Sequence, residues 1–429
     1  MRDHPIDPSL FIHNRARLTE AMPPGALAIF HSNDIPPTNA DGTGPFVQNS
    51  NLFWLTGIDQ EETILMLFPD APVPEQREML FVRKTNKQIA IWEGHKYTKE
   101  EATATSGIQS VHWLSSFESL LKKLMSETDL VFLSTSYHAK QSIEVPDRNH
   151  RFVHWCKEHF PLHQYRNAAP IVHNLRLVKS PIEIDLIRTA CEITEAGFRR
   201  VLSFVKPGVW EYEIEAEYAH AFIRRRARGF AYEPIIGAGD NSCVLHYVAN
   251  NQQCQDGQVL LMDVGACYAN YASDMTRTIP VNGRFTARQR AVYEAVLRCF
   301  KGARDLLKAG TLPMDYDEHV ELLVEKELVD LGLITMEEIR DQDPKQPVLK
   351  KYFMHKTAHA IGLDVHDVGD RYRAFEPGMV FTCEPGIYIP AEGIGIRLEN
   401  DILITGDGNE DLMADIPIEP DEIEDLMQA

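Results

Sequence analysis

Short apolar runs alternate with amphipathic stretches along the amino-terminal part of the chain. Apolar runs of strand length occupy residues 63–68, 79–82 and 130–133. Between the last two runs, three leucines recur at helical spacing over residues 115–125, and Ser115 and Glu118 have the spacing of a capping box. This alternation predicts a small α/β domain in which a sheet is covered by helices.

A long helix is predicted to begin at Ser180, where the pattern changes. Ser180 supplies an N-cap hydroxyl, Pro181 takes the first helical position, and Glu183 can complete a capping box. The chain has 429 residues, which is too long for one ordinary hydrophobic core. We therefore place a domain boundary just before this helix and expect domains at residues 1–172 and 173–429.

Two pairs of strands are predicted in the second domain, each pair joined by a short turn. The four strands lie at residues 259–267, 271–281, 379–389 and 394–405. Between the two pairs, Thr286 and Gln289 form a further capping-box pair, which predicts a helix that runs to Leu307 and stops at Gly310.

Acidic residues interrupt these otherwise apolar strands at Asp263, Asp274, Glu384 and Glu399. Burying an ionised carboxylate without compensation costs several kcal/mol, so each acid must be paired, protonated or bound to a metal ion. Taken alone, each is better explained as a salt-bridged or half-exposed strand residue. The same situation recurs in separate segments, however, and this favours a shared site. Strand alternation also places Arg397, Glu399 and Asp401 on one face.

Histidines accompany the acids at His246, His355, His359 and His366. A set rich in carboxylates with one or two imidazoles suits a pair of divalent metal ions, and the remaining histidines can move protons or stabilise an oxyanion. The spacing of His355 and His359 also fits one face of a helix, which is the alternative interpretation. It does not match the H-E-x-x-H motif of zinc metalloproteases, because Lys356 replaces the glutamate.

Composition excludes some classes of partner and of protein, but it does not indicate a specific function. Lys and Arg number 43 against 63 Asp and Glu, and the net charge of −20 argues against a nucleic acid or an anionic membrane as partner. Seven cysteines at scattered spacings predict neither a disulfide framework nor a zinc knuckle, which favours a reducing compartment. The start of the chain lacks an apolar signal-peptide region, and a cytoplasmic location is expected.

Six segments together resemble the metallopeptidases of the pita-bread fold, and among them the aminopeptidase P (Xaa-Pro aminopeptidase) family. They are residues 236–247 (IGAGDNSCVLHY), 262–265 (MDVG), 273–278 (SDMTRT), 354–369 (MHKTAHAIGLDVHDVG), 383–388 (CEPGIY) and 395–399 (GIRLE). The resemblance covers nearly the whole chain. It implies an α/β (α+β) protein, with a smaller amino-terminal α/β domain followed by a catalytic pita-bread domain that has a curved antiparallel sheet and covering helices.

The resemblance implies two divalent metal ions, with Mn2+ expected and Zn2+ or Co2+ as alternatives. Its ligand set carries over to Asp263, Asp274, His359, Glu384 and Glu399. Asp274 and Glu399 would bridge the ions. A bridging hydroxide would attack the scissile carbonyl of peptides with proline in second position, and Glu384 would take its proton and help to deliver one to the departing proline nitrogen.

Further roles follow from the same resemblance. His246 and His366 would bind the carbonyl oxygen and the developing oxyanion, and His355 would help to line the pocket that receives proline. Arg397 counts among the substrate-binding residues, although its place next but one to Glu399 suits it better to orient that carboxylate.

The amino-terminal domain matches the family at residues 48–57 (QNSNLFWLTG) and 90–94 (AIWEG). Trp92 falls where the family has a tryptophan that covers substrate in a neighbouring subunit, so the resemblance implies a homodimer or homotetramer. From the residues alone, we would interpret Trp92 as a core aromatic. The chain departs from the family at Asn51, where relatives often carry aspartate, and at Lys356, where they often carry glycine.

Three alternatives remain at this point. Prolidase, which cleaves only Xaa-Pro dipeptides, shares the five ligands. Creatinase-like enzymes and a binding protein without catalysis share the fold, but the intact ligand set counts against both.

Overall fold

A computed structural model describes residues 3–135 and 145–428 of the chain. These residues form two compact units. The amino-terminal unit runs from Pro5 to Arg176, and the carboxy-terminal unit comprises the described residues up to His4 and those from Leu177 onward. The division between Arg176 and Leu177 lies a few residues beyond the boundary expected at residues 172/173.

The amino-terminal unit contains seven helices and six strands among its described residues. In chain order they are α1 (Ser9–Ala21), β1 (Ala26–His31), α2 (Ser50–Thr56), β2 (Ile64–Leu67), β3 (Glu78–Val82), α3 (Lys87–Glu93), α4 (Lys99–Ser106), β4 (Ser110–Trp113), α5 (Phe117–Met125), β5 (Leu130–Leu133), α6 (Arg148–His159), β6 (Gln164–Asn167) and α7 (Ala169–Leu177).

The six strands form one mixed sheet in the order β4-β3-β2-β1-β5-β6. Strand β2 pairs antiparallel with β1 and β3, whereas β3–β4, β1–β5 and β5–β6 are parallel. The two central strands, β1 and β2, are buried along their whole length, and the apolar run at residues 63–68 predicts this for β2. The predicted α/β domain with a sheet and covering helices is confirmed.

Helix α5 packs on this sheet through Leu121, Leu124 and Met125, as its leucine spacing predicts. Its predicted start is wrong, however. The helix begins at Phe117 after a turn of 3-10 helix, and its N-cap Ser116 makes no side-chain cap hydrogen bond. Ser115 of the predicted capping box lies within this 3-10 turn, and the Glu118 carboxylate accepts a hydrogen bond from Lys122 Nζ at 2.6 Å instead of reaching back to the cap.

The carboxy-terminal unit contains six helices and eleven short strands among its described residues. They are α8 (Pro181–Leu202), α9 (Glu211–Arg224), β7 (Gly229–Phe230), β8 (Ile235–Ala238), β9 (Val259–Val264), β10 (Ala266–Tyr268), β11 (Tyr271–Ala272), β12 (Met275–Pro280), α10 (Ala287–Leu306), α11 (Pro313–Asp330), α12 (Met336–Asp341), β13 (Val380–Cys383), β14 (Gly386–Ile389), β15 (Ile394–Arg397), β16 (Asn400–Ile404), β17 (Asn409–Asp411) and α13 (Pro420–Gln428).

Every strand pair in this unit is antiparallel, in the orders β12-β9-β8, β11-β10-β7, β13-β16-β17 and β14-β15. Each predicted long strand is therefore present but broken into two short ones. A bridge between Thr276 and Glu399 joins the two halves of the unit. The breaks bend the sheets, and they fall beside the acidic residues.

Both capping boxes predicted in this unit are confirmed. Ser180 and Glu183 cap α8, and Thr286 and Gln289 cap α10. Helix α10 ends at Leu306, and Gly310 adopts a left-handed φ of 89° after it, close to the predicted stop. The helix alternative for His355 and His359 is wrong, because residues 354–369 form turns and irregular backbone.

None of the seven cysteines, all of which lie in the described ranges, forms a disulfide, and five of them are buried. Within residues 3–135 and 145–428, no helix has the length and apolar character needed to cross a membrane.

Candidate active site

The four acidic residues lie where the short strands meet. Asp263 is part of β9, directly opposite Thr276 of β12. Asp274 lies in the gap between β11 and β12, Glu384 between β13 and β14, and Glu399 between β15 and β16. These gaps free the backbone from regular pairing, so the side chains can turn towards one another.

Close backbone approach accompanies the first of these gaps. A Cβ atom added at Gly265 would lie 1.8 Å from the Ser273 carbonyl oxygen, so only glycine fits there. The neighbouring Asp274 N–H donates to the Asp401 carboxylate at 3.1 Å. This hydrogen bond fixes the backbone of Asp274, while its side chain faces the other acids.

Asp274, His359 and Glu399 offer ligand atoms that all lie within 4.8 Å of one another. His359 Nε2 is 3.4 Å from Asp274 and 3.7 Å from Glu384. Its Nδ1 faces the Ala360 carbonyl at 3.1 Å, and a proton on Nδ1 leaves the Nε2 lone pair directed at the acids. Carboxylate oxygens and one imidazole are suitable donors for a divalent metal ion, and these residues could hold one.

The electrostatics of the cluster favour a bound cation. Burial raises the pKa of Glu384 to about 7, although His359 and Arg397 oppose the shift. Burial, with repulsion from Asp274 and Glu384, raises the pKa of Glu399 well above its usual range. Burial alone would lower the pKa of His359, but Asp274 and Glu384 raise it to about 9. The carboxylates repel one another here, and a divalent cation would restore their ionised form.

Arg397 supports the acids from one side and is buried among them. Its Nη2 donates to Asp263 at 2.6 Å, and its Nε donates to the Thr276 hydroxyl at 3.0 Å. That hydroxyl donates to Glu399 at 2.6 Å. Arg397 thus orients Asp263 directly and Glu399 through Thr276, which agrees with the orienting role expected for it.

His355 belongs to the same network through a tyrosine. Arg397 Nη1 donates to the Tyr388 hydroxyl at 2.8 Å, which lies 2.7 Å from His355 Nε2. The other ring nitrogen, Nδ1, faces the Lys356 carbonyl at 2.6 Å and lies 3.6 Å from Glu384. Burial and the Arg397 charge lower the pKa of His355 to about 3, so the ring is neutral at neutral pH.

The other two histidines are more exposed. The His366 ring packs against the His359 ring, with centroids 4.2 Å apart and planes tilted by 31°, and so lies beside the acids. His246 lies in the loop after the 3-10 turn Gly239–Cys243, and its charge acts on His355. The structure therefore gathers the five candidate ligands, Arg397, His355 and His366 around one centre, whereas His246 is exposed on a loop beside it.

Trp92 belongs to the amino-terminal unit, on α3. It is 85% exposed, and Ile91 beside it is 80% exposed. The interpretation of Trp92 as a core aromatic is therefore wrong. Asn51, the other departure in this unit, is buried, and Arg176 Nη1 donates to its side-chain oxygen Oδ1 at 2.7 Å.

Two tyrosines at the site were missing from the sequence-based set. The Tyr232 hydroxyl lies 2.5 Å from Oδ1 of both Asp263 and Asp274, and Tyr388 joins Arg397 to His355. Burial and the two aspartates raise the pKa of Tyr232 well above its usual range, so it stays a donor. An aromatic residue near a strand reads as core in the apolar pattern. The signal that was available for Tyr388 is its place within the segment 383–388.

Profiles of two known families match the chain. That of metallopeptidase family M24 covers residues 185–406, and that of the aminopeptidase P amino-terminal domain covers residues 11–132. The chain is 35% identical to a Xaa-Pro aminopeptidase of Escherichia coli (strain K12), over 98% of this chain and 97% of the relative. It is 33% identical to human Xaa-Pro aminopeptidase 3, over 92% of this chain and 78% of the relative.

Solved structures resemble the chain over nearly its whole length. A structure assigned to an aminopeptidase P from Bacillus anthracis has a TM-score of 0.92 at 34% identity, covering 99% of both chains. The low-pH form of E. coli aminopeptidase P has a TM-score of 0.87 at 34% identity and the same coverage. The expected fold, an amino-terminal α/β domain with a pita-bread domain, is confirmed.

Proposed function

The chain belongs to metallopeptidase family M24, and from that premise we propose that it removes the amino-terminal residue from peptides whose second residue is proline. It is a hydrolase, a metallo-aminopeptidase. The relatives from Escherichia coli and Haemophilus influenzae, which match it across both units, are Xaa-Pro aminopeptidases, so the prolidase alternative is not favoured. One observation carries the proposal: carboxylates from separate strand breaks converge on His359 beside further imidazoles.

Asp263, Asp274, His359, Glu384 and Glu399 would hold two divalent ions. When bound, such ions polarise a carbonyl and lower the pKa of a shared water. Manganese is the proposed metal, because four of the five ligands are carboxylates. Carboxylates suit Mn2+, whereas zinc also binds softer donors. Arg397 and Tyr232 would keep the free carboxylate oxygens in place through their 2.6 Å and 2.5 Å contacts.

Glu384 is the proposed proton carrier. A group that accepts and then releases a proton must lie within reach of the reacting atoms. Glu384 lies 3.7 Å from His359 and 3.6 Å from His355, so it borders both the ligand cluster and the imidazoles. It would take a proton from the attacking water and deliver one to the departing nitrogen.

The histidines would handle the scissile group. His246 and His366 would bind the carbonyl oxygen and the oxyanion that develops from it. The neutral ring of His355, fixed between Tyr388 and the Lys356 carbonyl, would form one wall of the proline pocket. A neutral wall suits proline, since its ring is apolar and its nitrogen lacks an N–H.

Trp92 supports a further part of the proposal. An exposed Trp92 beside an exposed Ile91 is an apolar pair of the kind found at contact surfaces. We propose that Trp92 covers substrate in a neighbouring subunit of a homodimer or homotetramer. The free thiols support a reducing, cytoplasmic location.

Peptide assays test the proposal. We expect the metal-loaded protein to cleave Xaa-Pro-Yaa tripeptides after the first residue, Xaa-Pro dipeptides more slowly, and Xaa-Ala-Yaa weakly or not at all. Amino-terminal acetylation should block cleavage, and a chelator should abolish it until manganese is added back. Efficient cleavage confined to dipeptides would indicate a prolidase, and equal rates on alanine and proline peptides would refute proline specificity.

A further inference from the structure

We propose that a buried ion pair between Lys179 and Asp367 positions His366 against His359 at the reaction centre. Lys179 would be a positioning residue that acts through His366, in a part of the chain that the mechanism above does not use. The proposal rests on the proposed function, in particular on the oxyanion-binding role of His366.

The ion pair is almost fully enclosed. Lys179 Nζ lies 3.2 Å from Asp367 Oδ2, and the two side chains are only 1% and 2% exposed. The lysine backbone is fixed as well, because its N–H donates to the Gly378 carbonyl at 2.8 Å. Lys179 immediately precedes Ser180, the N-cap of α8, so it projects from a rigid point.

Asp367 follows His366 in the chain and closes the loop that carries it. Its N–H donates to the Ala360 carbonyl at 2.8 Å, which ties the residue after His366 to the residue after His359. Within the loop, the Gly362 N–H donates to Asp364 at 3.1 Å. The packing of the His366 ring against the His359 ring, with centroids 4.2 Å apart, therefore depends on the position of Asp367.

Packing over the ion pair leaves Asp367 little choice of position. A Cβ atom added at Gly362 would lie 2.3 Å from Asp367 Oδ2 and 3.0 Å from Lys179 Cε. The loop backbone thus lies directly on the two charged groups. Both the Lys179 ammonium group and the loop backbone at Gly362 therefore restrict the position of the Asp367 carboxylate.

Stability alone does not account for such a pair. Removing two charges from water is costly, and uncharged side chains of similar volume often serve the fold equally well or better. What the pair provides is a directional contact that fixes the carboxylate, and with it the adjoining backbone. Because His366 immediately precedes Asp367 in the chain, the restraint on Asp367 also fixes the position of the His366 imidazole.

The test neutralises both charges with little change of shape, as Lys179→Met with Asp367→Asn. We expect the variant to melt near the wild-type temperature and to bind wild-type amounts of metal. Its kcat on a Xaa-Pro-Yaa tripeptide should fall roughly 10- to 100-fold, as for other groups that orient a site residue, with little change in KM. A matched control is Lys301→Met with Glu419→Gln, which removes an exposed ion pair of 2.7 Å in the same unit and should leave kcat unchanged.

A double-mutant cycle with His366→Ala decides whether the effect passes through that residue. In the His366→Ala background, neutralising the pair should cause no further loss, because the group being positioned is gone. An equal loss in both backgrounds would mean a merely structural role, and an unchanged kcat in the first variant would also overturn the proposal. Should the double neutralisation prevent folding, Asp367→Asn alone must show the same His366-dependent loss.

The outcomes separate this proposal from the proposed function. If His366→Ala alone leaves kcat unchanged while wild type cleaves Xaa-Pro-Yaa, the positioning proposal falls together with the role of His366, but Xaa-Pro cleavage stands. If wild type fails to cleave these peptides, the proposed function itself is wrong.

Discussion

Both units of the molecule bury an imidazole, with opposite results. In the amino-terminal unit, His31 at the end of β1 lies against Phe117 and Phe152, with ring centroids 5.8 and 4.2 Å away. Burial, reinforced by Arg148, lowers its pKa to about 3. In the carboxy-terminal unit, the His359 side chain is 18% exposed and so less enclosed, and Asp274 and Glu384 raise its pKa to about 9 against the opposing effect of burial.

The difference shows what separates a core from a site. Burial penalises the charged form of both rings, but at His359 the neighbouring carboxylates more than compensate. Neither ring nitrogen of His31 has a hydrogen-bond partner among the described residues. A neutral, unpaired imidazole can only cost stability, whereas an imidazole among acids can bind a cation. The three experiments that follow test this contrast.

Removing the acid beside His359 should have the largest effect. Asp274→Ala takes away a proposed bridging carboxylate, so the metal content should fall. Activity on a Xaa-Pro-Yaa peptide should then drop by at least about 10³-fold, more than the loss of an outer-shell partner usually costs. Elemental analysis and peptide assays measure the two effects.

Glu399→Ala should behave in the same way, since its carboxylate lies in the same cluster. The exposed Asp305→Ala on α10 serves as the control and should retain both metal and activity. Full metal content in Asp274→Ala would show that the carboxylate cluster does not hold the ions.

Tyr232→Phe should have an intermediate effect, because it leaves the acids but removes the hydroxyl that lies 2.5 Å from two of them. A tyrosine with a raised pKa stays protonated, so it can donate to either carboxylate and limit their repulsion. We expect metal affinity or activity to fall about 10- to 100-fold, as for other groups that orient ligands.

The matched control is Tyr293→Phe, which removes another buried hydroxyl, one that donates to the Ile418 carbonyl at 2.7 Å. It should cost stability without changing metal affinity. Equal metal affinity in Tyr232→Phe and wild type, by isothermal titration, would show that the hydroxyl does not support the ligands.

Local sequence signals predicted much of the fold. The caps of α8 and α10 and both strand pairs are where the spacing places them, because each rests on contacts between residues close in the chain. The predicted start of α5 is wrong, since Ser115 lies in a 3-10 turn before the helix and Glu118 pairs with Lys122. Periodicity also could not show that the long strands break beside the acids, because Asp274 and Glu399 meet through contacts distant in sequence.

Site residues could be predicted from the sequence where a charged side chain interrupts an apolar strand. Uncharged site residues could not be distinguished from core residues in this way. An acid in an apolar strand is conspicuous, so Asp263, Asp274, Glu384 and Glu399 could be identified from the residues. Tyrosine fits a core and a site equally well, so nothing in the sequence indicated Tyr232, and Tyr388 was indicated only by its place within the segment 383–388. The sequence also offered no physical reason for a lysine at position 356. In the structure, Lys356 Nζ lies 2.6 Å from Asp317 on α11, in an exposed ion pair.

The smallest effect should come from the other imidazole, through His31→Leu. Burying a polar group without a partner costs about 1–3 kcal/mol, so an apolar side chain of similar size should stabilise the amino-terminal unit. For a unit of this size, each kcal/mol corresponds to about 2–4 °C in melting temperature. Activity should be unchanged, in contrast to the variants of the acid cluster.

The gain from His31→Leu should also grow in acid, because the pKa of His31 is lowered from 6.5 to about 3 in the folded protein. The unfolded chain takes up the proton first, so the stability associated with the neutral ring is complete above about pH 6.5 and is lost as the pH falls towards 3. Denaturant unfolding of wild type and His31→Leu at pH 7.5 and pH 5 measures this difference, with the exposed His159→Leu as the control for loss of an imidazole. A stability difference that is the same at both pH values would mean that His31 has an ordinary pKa when folded, and the contrast in protonation between the two histidines would then be refuted.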